Sequence, residues 1–255
     1  MVFRESLKQY VQNYKTALGF ALLLVFVLFF VLSQNFFVSS GSIFADFNII
    51  KSGAIDAVLA LLAIAVFEFF YAILITLVVF AVRNNMSKVR VQYYLSEKIQ
   101  KFSFKLFIFF FAFTLAALAL QSFLPLVGIP IAAVNLLLLI ASLLLIFFPQ
   151  AVVIDESGIR SSIIASAEFL MSHLKESAQI IIAGALMLIA LGIFEFALDQ
   201  FFFAGNFITP LISLVFIIPF LEIVKSVIYL HKFELVKSVN REIKPKAAPA
   251  SVNAN

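Results

Sequence analysis

Six long runs of apolar residues divide the chain, and each is close to the roughly 20 residues that a helix needs to cross a bilayer. The polar segments between them are short. This pattern predicts an all-α membrane protein with six transmembrane helices. The predicted spans are 16–33, 55–82, 105–124, 131–148, 179–203 and 210–229.

Prolines mark several features of these helices. Pro130 suits the first turn of the fourth helix, and Pro149 is expected to end that helix. Thr209 and Pro210 predict a cap followed by proline at the first position of the sixth helix. Pro219 lies within the sixth span, where a proline kinks a helix and frees a backbone carbonyl.

The positive charges orient the predicted bundle. All 18 Lys and Arg residues except Lys51 fall on one side of the implied membrane. Because basic residues accumulate in cytoplasmic connections, both termini are predicted to be cytoplasmic. The first run is longer than the apolar core of a signal peptide, so we interpret it as a true span. The prediction is a multi-pass protein of the cell membrane, with a domain over 1–244 and a disordered tail over 245–255.

Composition excludes several classes of protein. An apolar share of 64% is far above that of soluble domains. The absence of cysteine excludes disulfides, thiolate catalysis and thiolate metal sites. His173 and His231 lie far apart without acidic neighbours at metal-ligand spacing, so no metal or cofactor is predicted. No phosphate-binding loop or nucleophile motif is present, and no catalytic residue is assigned.

Three segments on the basic side have apolar residues at helical spacing, within 3–14, 89–102 and 159–174. In the third, one stripe is formed by Ile159, Ile163, Ala167, Leu170 and Leu174. Such helices lie in the headgroup plane or dock under the bundle. They are either lipid-sensing or partner-coupling helices, or linkers that lie flat.

The basic side also carries acidic residues. An acidic patch beside an anionic leaflet is not favoured by lipid, so we expect it to pair with the basic second connection or with a partner protein. The candidate interaction residues are Arg83, Lys88, Arg90, Asp155, Glu156 and Glu168. The expected partners are membrane lipids and another membrane or cytoplasmic protein, with self-association possible. The net charge of +4 reflects topology and anionic lipid rather than nucleic acid.

The stretch 148–170 carries a Pro closing the fourth helix, an acidic residue with a Gly, and then an amphipathic helix with a Ser. The residues are Pro149, Glu156, Gly158 and Ser166. This order resembles a loose group of six-helix prokaryotic membrane families, including archaeal ones and the membrane domain found next to glycerophosphodiester phosphodiesterases. The resemblance implies the architecture and no particular activity.

Ionisable residues inside the predicted spans are the remaining candidates, since such residues are costly in lipid. They are Glu68, Glu195, Asp199, Glu222 and Lys225. One interpretation is a proton or cation path through Glu68 and Glu195, with Glu222 and Lys225 as a gate. The other is structural: Glu68 bonds a neighbouring helix, and Lys225 extends to the headgroups beside Glu222.

The leading functional hypothesis is a non-enzymatic membrane protein that acts as an accessory, assembly or lipid-organising component. The alternative is a small transporter or channel for protons or a cationic substrate, using the intramembrane carboxylates. Gly184 and Gly192 predict a close-packing face on the fifth span, for contact within the chain or in a dimer.

Overall fold

The computed structural model describes residues 2–26, 36–39, 42–45, 54–86, 95–201 and 205–242. This part of the chain is almost entirely helical, as the apolar runs predict. The helices are α1 (Val2–Gln12), α2 (Tyr14–Gly19), α3 (Ala54–Met86), α4 (Leu95–Phe123), α5 (Ile131–Leu144), α6 (Phe148–Ile154), α7 (Ile159–Ser172), α8 (Leu174–Phe201), α9 (Gly205–Ile212) and α10 (Ile218–Glu242).

Shorter elements join or flank these helices. A 3-10 turn at Phe20–Leu23 follows α2, and another at Pro125–Val127 follows α4. A π-helical turn at Ser213–Ile217 connects α9 to α10. Two short strands, β1 (Phe36–Ser39) and β2 (Ser42–Ala45), pair in antiparallel register.

Within the described residues, five helical stretches are long and apolar enough to cross a membrane, and they correspond to the second to sixth predicted spans. The first predicted span, 16–33, is described only in its first part, within the shorter apolar helix Tyr14–Phe26; the rest lies outside the described residues, as does the predicted tail 245–255. The five stretches are Val58–Met86, Glu97–Val127, Ile131–Ile154, Leu174–Leu198 and Ile208–His231.

The last of these stretches is the centre of the bundle. In its most apolar 18-residue segment 72% of the residues are buried, whereas in the corresponding segment of α8 only 11% are buried. α1, α3, α6 and α8 all contact α10. Because a helix that is apolar on most sides needs neighbours on most sides, α10 organises the packing of the others. The core runs along α3 and α10, and every residue of α6 is buried.

The core lies toward one end of the bundle, which we call the basic end. The basic end comprises the end of α3 at Met86, the beginning of α4, the loop 155–158 and α10 near His231. At the opposite end α4 and α5 have only a small separate core, formed by Ala117, Val134 and Leu138.

Pro149 does not end the fourth span, contrary to the prediction. α5 ends at Leu144, and after a turn the chain resumes as α6 with Pro149 in its first turn, where a missing N–H is tolerated. Ser166 of α7 bridges the break. Its Oγ accepts from the Phe147 N–H (3.1 Å) and donates to the Leu144 carbonyl (2.9 Å). The span therefore continues to Ile154.

The predictions for the two prolines of the last span, Pro210 and Pro219, have different outcomes. The prediction that Pro210 starts a helix is wrong, because α9 begins at Gly205 and contains it. The prediction that Pro219 frees a carbonyl is confirmed. In an α-helix the Val215 carbonyl would accept from residue 219, where proline has no N–H. The Tyr10 hydroxyl donates to that carbonyl at 3.0 Å, which ties α1 to the last span.

Two of the three segments predicted as surface helices are helical, each with an unexpected buried face. α1 buries Ser6 and Gln9 and exposes Phe3, Leu7 and Val11. α1 therefore turns two polar side chains toward the protein, while three of its apolar side chains face outward beside the exposed Arg4 and Lys8.

In α7, too, polar residues are buried and residues of the predicted apolar stripe are exposed. It buries Ser162, Ser166, Phe169 and Leu170, whereas Ile163 and Leu174 of the predicted stripe are exposed. The two serines satisfy backbone groups at the α5–α6 break and in the loop before α7, which favours their burial over that of isoleucine. Of the third predicted surface segment, residues 89–94 lie outside the described part.

Candidate functional site

A buried cluster of polar side chains joins α10 to α6. Glu222, Lys225 and Ser226 lie at i, i+3 and i+4 on α10 and so share one face. Lys225 Nζ pairs with Glu222 Oε1. The Nε2 of Gln150 donates to Glu222 Oε2 at 3.0 Å and to Ser226 Oγ at 3.4 Å. The Ser226 hydroxyl donates to the Glu222 carbonyl at 2.7 Å. Both carboxylate oxygens are therefore bound by side chains of the same chain.

The expected Glu222–Lys225 pair forms, and it lies inside the protein. Lys225 is only 1% exposed and Glu222 is 2% exposed. The lysine side chain does not extend out of the bundle, because α10 is surrounded by other helices and Glu222 is within reach. Two opposite charges buried together cost much less than one charge buried alone.

Two polar atoms at this junction have no hydrogen-bond partner among the described residues. One is Gln150 Oε1, and the other is the hydroxyl of Tyr71 on α3. The Tyr71 hydroxyl lies within electrostatic range of Glu222. The cluster thus has open hydrogen-bonding positions where α3, α6 and α10 meet.

Glu68 lies on α3 one turn before Tyr71. It is 1% exposed, and its Oε1 accepts from the Thr114 hydroxyl of α4 at 2.5 Å. Its second oxygen, Oε2, is buried without a partner in the described part of the chain. The predicted bond from Glu68 to a hydroxyl on a neighbouring helix is confirmed.

The two candidates on α8 do not join this site. Glu195 is half-buried and has no hydrogen bond or ion pair within the described residues, and the side chain of Asp199 lies outside them. The glycines of α8 differ. A Cβ on Gly184 would lie 3.5 Å from Leu221 Cδ1 of α10, whereas one on Gly192 would have no neighbour within 4 Å among the described residues. Of these two glycines, Gly184 is therefore the one in close contact with another described helix.

At the basic end, Glu156 links three segments. It accepts from Arg83 Nη2 at 2.9 Å and from Lys98 Nζ at 2.9 and 3.1 Å. Arg83 also donates to the Val153 carbonyl, and Lys105 to the Ser157 carbonyl, both at 2.8 Å. These bonds hold Glu156 at a φ of 54°, in the left-handed region that non-glycine residues seldom adopt. The expected pairing of the acidic segment with the basic connection is present here.

Partial burial tends to raise the pKa of Glu156, but the hydrogen bonds from Lys98 and Arg83 and their positive charges outweigh it. The net effect is a pKa below the ordinary value of 4.5. The carboxylate therefore remains ionised and bound at neutral pH.

The other candidates of this end have different environments. Asp155 accepts a hydrogen bond from Tyr229 at 2.5 Å rather than from a basic side chain. Glu168 is exposed and has no ion pair in the described part. Lys88 and Arg90 lie outside the described residues.

Sequence reasoning missed Gln150, Ser162 and Ser166 as members of these networks. Gln150 had a usable signal, because it is a polar residue directly after a proline within an apolar run. That signal was masked by the assumption that the helix stops at Pro149. Ser166 was noted only as part of a resemblance, and its role depends on a break in a helix 20 residues away that no local pattern reveals.

The chain was compared with known proteins in three ways. No protein-family model matches it, no curated protein matches its sequence, and no solved structure matches its fold. The resemblance to six-helix prokaryotic membrane families therefore stays a prediction, and the functional argument depends on the geometry.

Proposed function

We propose that this chain is a non-enzymatic integral membrane protein with six spans, acting as an accessory, assembly or lipid-organising component. Its basic end and both termini face the cytoplasm, where a partner binds. One observation carries the proposal: the buried carboxylate of Glu222 has one oxygen paired with Lys225 and the other bound by Gln150 of the same chain. Groups bound in this way fix the arrangement of helices.

The basic end supplies the surface for a partner. The bonds of Glu156 to Arg83 and Lys98 hold the loop 155–158 against α3 and α4, and α7 begins directly after that loop. The outer face of α7 combines exposed apolar and charged side chains. They are Arg160, Ile163, Ile164, Glu168 and Met171. Such a mixed, firmly anchored face suits contact with a protein at the membrane surface.

The alternative function is a small proton-coupled or cation transporter. It is favoured by three buried polar atoms without partners in the described residues: Glu68 Oε2, the Tyr71 hydroxyl and Gln150 Oε1. Two of them lie one turn apart on α3, as groups that pass a proton would. Binding of each carboxylate by the protein's own side chains is the observation that favours the structural function instead.

Proteoliposomes separate the two functions. Wild-type protein and Glu68→Gln are tested for proton and cation flux driven by a pH gradient, with Glu97→Gln at the exposed start of α4 as control. We expect no flux above empty liposomes in any of the three. Wild-type flux that Glu68→Gln abolishes, in a variant that still folds, would establish transport.

A photo-crosslinking residue tests the partner surface. Placed at Met171 in cells, it is expected to capture a discrete partner, whereas the same group at Leu137, exposed on α5 far from the basic end, is not. Equal capture at the two positions would contradict the assignment of α7.

A further inference from the structure

A polar cavity lies between α1 and the end of α3, apart from the site described above. Its volume is about 550 Å³, and it is open on one side. Polar and charged side chains form most of its lining. They are Glu5, Lys8, Gln9, Gln12, Asn13 and Asn85.

The cavity is built by helical spacing and fixed by hydrogen bonds. Glu5, Gln9 and Gln12 recur every three to four residues and so lie on one face of α1. Buried Gln9 accepts from Asn85 Nδ2 through its Oε1 at 3.1 Å, which joins α1 to α3. Asn13 Nδ2 donates to the Gln9 carbonyl at 2.8 Å. Hydrogen bonds within α1 and between α1 and α3 therefore fix polar side chains that line the cavity.

The charges of the cavity indicate what it binds. Glu5 and Lys8 both line it, yet neither forms an ion pair with the other or with another described residue. One carboxylate and one ammonium group are thus available in a single polar space. A ligand that carries an ammonium and an anionic group a short distance apart satisfies both.

The position of the cavity indicates the source of that ligand. The outward face of α1 exposes Phe3, Leu7 and Val11 beside the basic Arg4. A helix with this arrangement lies at the boundary of lipid and water. The cavity on its other face is then at the level of the lipid headgroups.

We propose that this cavity binds the headgroup of an aminophospholipid, with its ammonium at Glu5 and its phosphate at Lys8. This inference rests on the proposed membrane placement and names a ligand for the lipid-organising function. Choline headgroups fit less well, because their methylated nitrogen has no N–H to donate to the carboxylate.

Lipid binding to the purified protein tests the proposal. The protein in mild detergent is titrated with phosphatidylethanolamine, phosphatidylcholine and phosphatidylglycerol, and bound lipid is counted by native mass spectrometry. We expect phosphatidylethanolamine to bind about tenfold more tightly than the other two, the factor that one charge-assisted hydrogen bond supplies. Equal binding of the three lipids overturns the proposal.

Variants of α1 locate the site. Glu5→Gln is expected to abolish the preference for phosphatidylethanolamine. Lys8→Gln is expected to weaken phosphatidylethanolamine and phosphatidylglycerol alike, and Lys8→Arg to retain both. Arg4→Gln, outside the cavity, is the matched control and leaves binding unchanged. If Arg4→Gln and Lys8→Gln weakened lipid binding equally, the lipid would be attracted to basic residues in general, and the proposed site would be wrong.

Two further measurements separate the possible outcomes. Soluble glycerophosphoethanolamine is expected to compete only at much higher concentration than the lipid; if it binds equally well, the ligand is a free metabolite and the lipid assignment is wrong. Carbonate extraction of cell membranes tests membrane placement separately. A protein that stays in the membrane but does not distinguish the lipids overturns the cavity proposal alone, whereas one that is extracted overturns the proposed function.

Discussion

At the scale of single residues, the buried pair Glu222–Lys225 specifies how the central helices meet. A buried ion pair often stabilises a protein no more than apolar side chains of similar size would. Removing one member is different, because it leaves the other charge buried without compensation. Gln150 of α6 donates both to the Glu222 carboxylate and to the Ser226 hydroxyl, which fixes the position of α6 against α10.

The change Lys225→Met tests this interpretation. We expect the free energy of unfolding in detergent to fall by about 3–5 kcal/mol, because Glu222 remains buried and unpaired. The double change Glu222→Met with Lys225→Met should recover most of that loss. Lys175→Met, at an exposed lysine of α8, is the control and should cost less than about 0.5 kcal/mol. A Lys225→Met effect as small as the control would contradict the structural role.

Glu156 gives the protein a pH-dependent contribution to stability. Because its pKa is lower in the folded protein than the ordinary 4.5, it contributes stability above pH 4.5 and loses it as the pH falls through the lower folded value. Glu156→Gln should therefore lower the melting temperature at pH 7, and lower it less at an acidic pH below 4.5. The exposed Glu168→Gln is the control and should leave the melting temperature unchanged at both pH values. A difference for Glu156→Gln that is equal at both pH values would contradict the ion-pair explanation.

At the scale of elements, the interrupted span α5–α6 depends on a side chain from another helix. The Phe147 N–H and the Leu144 carbonyl at the break both bind Ser166 of α7. The break is therefore stable only when α7 is docked. This arrangement lets α6 change direction within the core without leaving backbone groups unsatisfied.

Ser166→Ala should destabilise the protein by about 1–3 kcal/mol, because it leaves the buried Phe147 N–H without a partner. The matched control is Ser161→Ala, an exposed serine of the same helix that bonds only within its own turn. Its expected cost is a few tenths of a kcal/mol. Denaturant unfolding of both variants in detergent provides the comparison, and equal midpoints would show that the break does not require Ser166.

These elements show what could be predicted from the sequence. The apolar runs locate five spans because length and composition decide them, and Pro219 predicts a freed carbonyl because proline lacks an N–H wherever it lies. The buried faces of α1 and α7 could not be predicted. Serine and glutamine are buried there because they satisfy backbone and side-chain groups of other helices, and local periodicity contains no information about those groups.

At the scale of the whole molecule, packing is uneven along the axis of the bundle. The core surrounds α10 near the basic end, while α5 and most of α8 expose apolar side chains along their length. In a membrane these surfaces contact lipid or other helices. The firmly packed end is also the end that bears the charges, which is consistent with a partner on that side.

Cysteine labelling tests the orientation, and the natural absence of cysteine makes the background clean. Ser161→Cys at the basic end should react with a membrane-impermeant maleimide only after the cells are permeabilised. Leu126→Cys, exposed in the turn after α4 at the opposite end, should react in intact cells. The reverse pattern would place the basic end outside and contradict the positive-inside argument.

The hydrogen bond from Tyr10 to Val215 joins positions 205 residues apart and has a consequence for biosynthesis. α10 is the last described helix to leave the ribosome, yet α1, α3 and α6 all pack on it. Until it arrives, Gln150 has neither Glu222 nor Ser226 to bind, and α1 lacks the helix on which it docks. A nascent chain stopped before α10 is thus an incomplete bundle, because the helix that contacts most of the others is still missing.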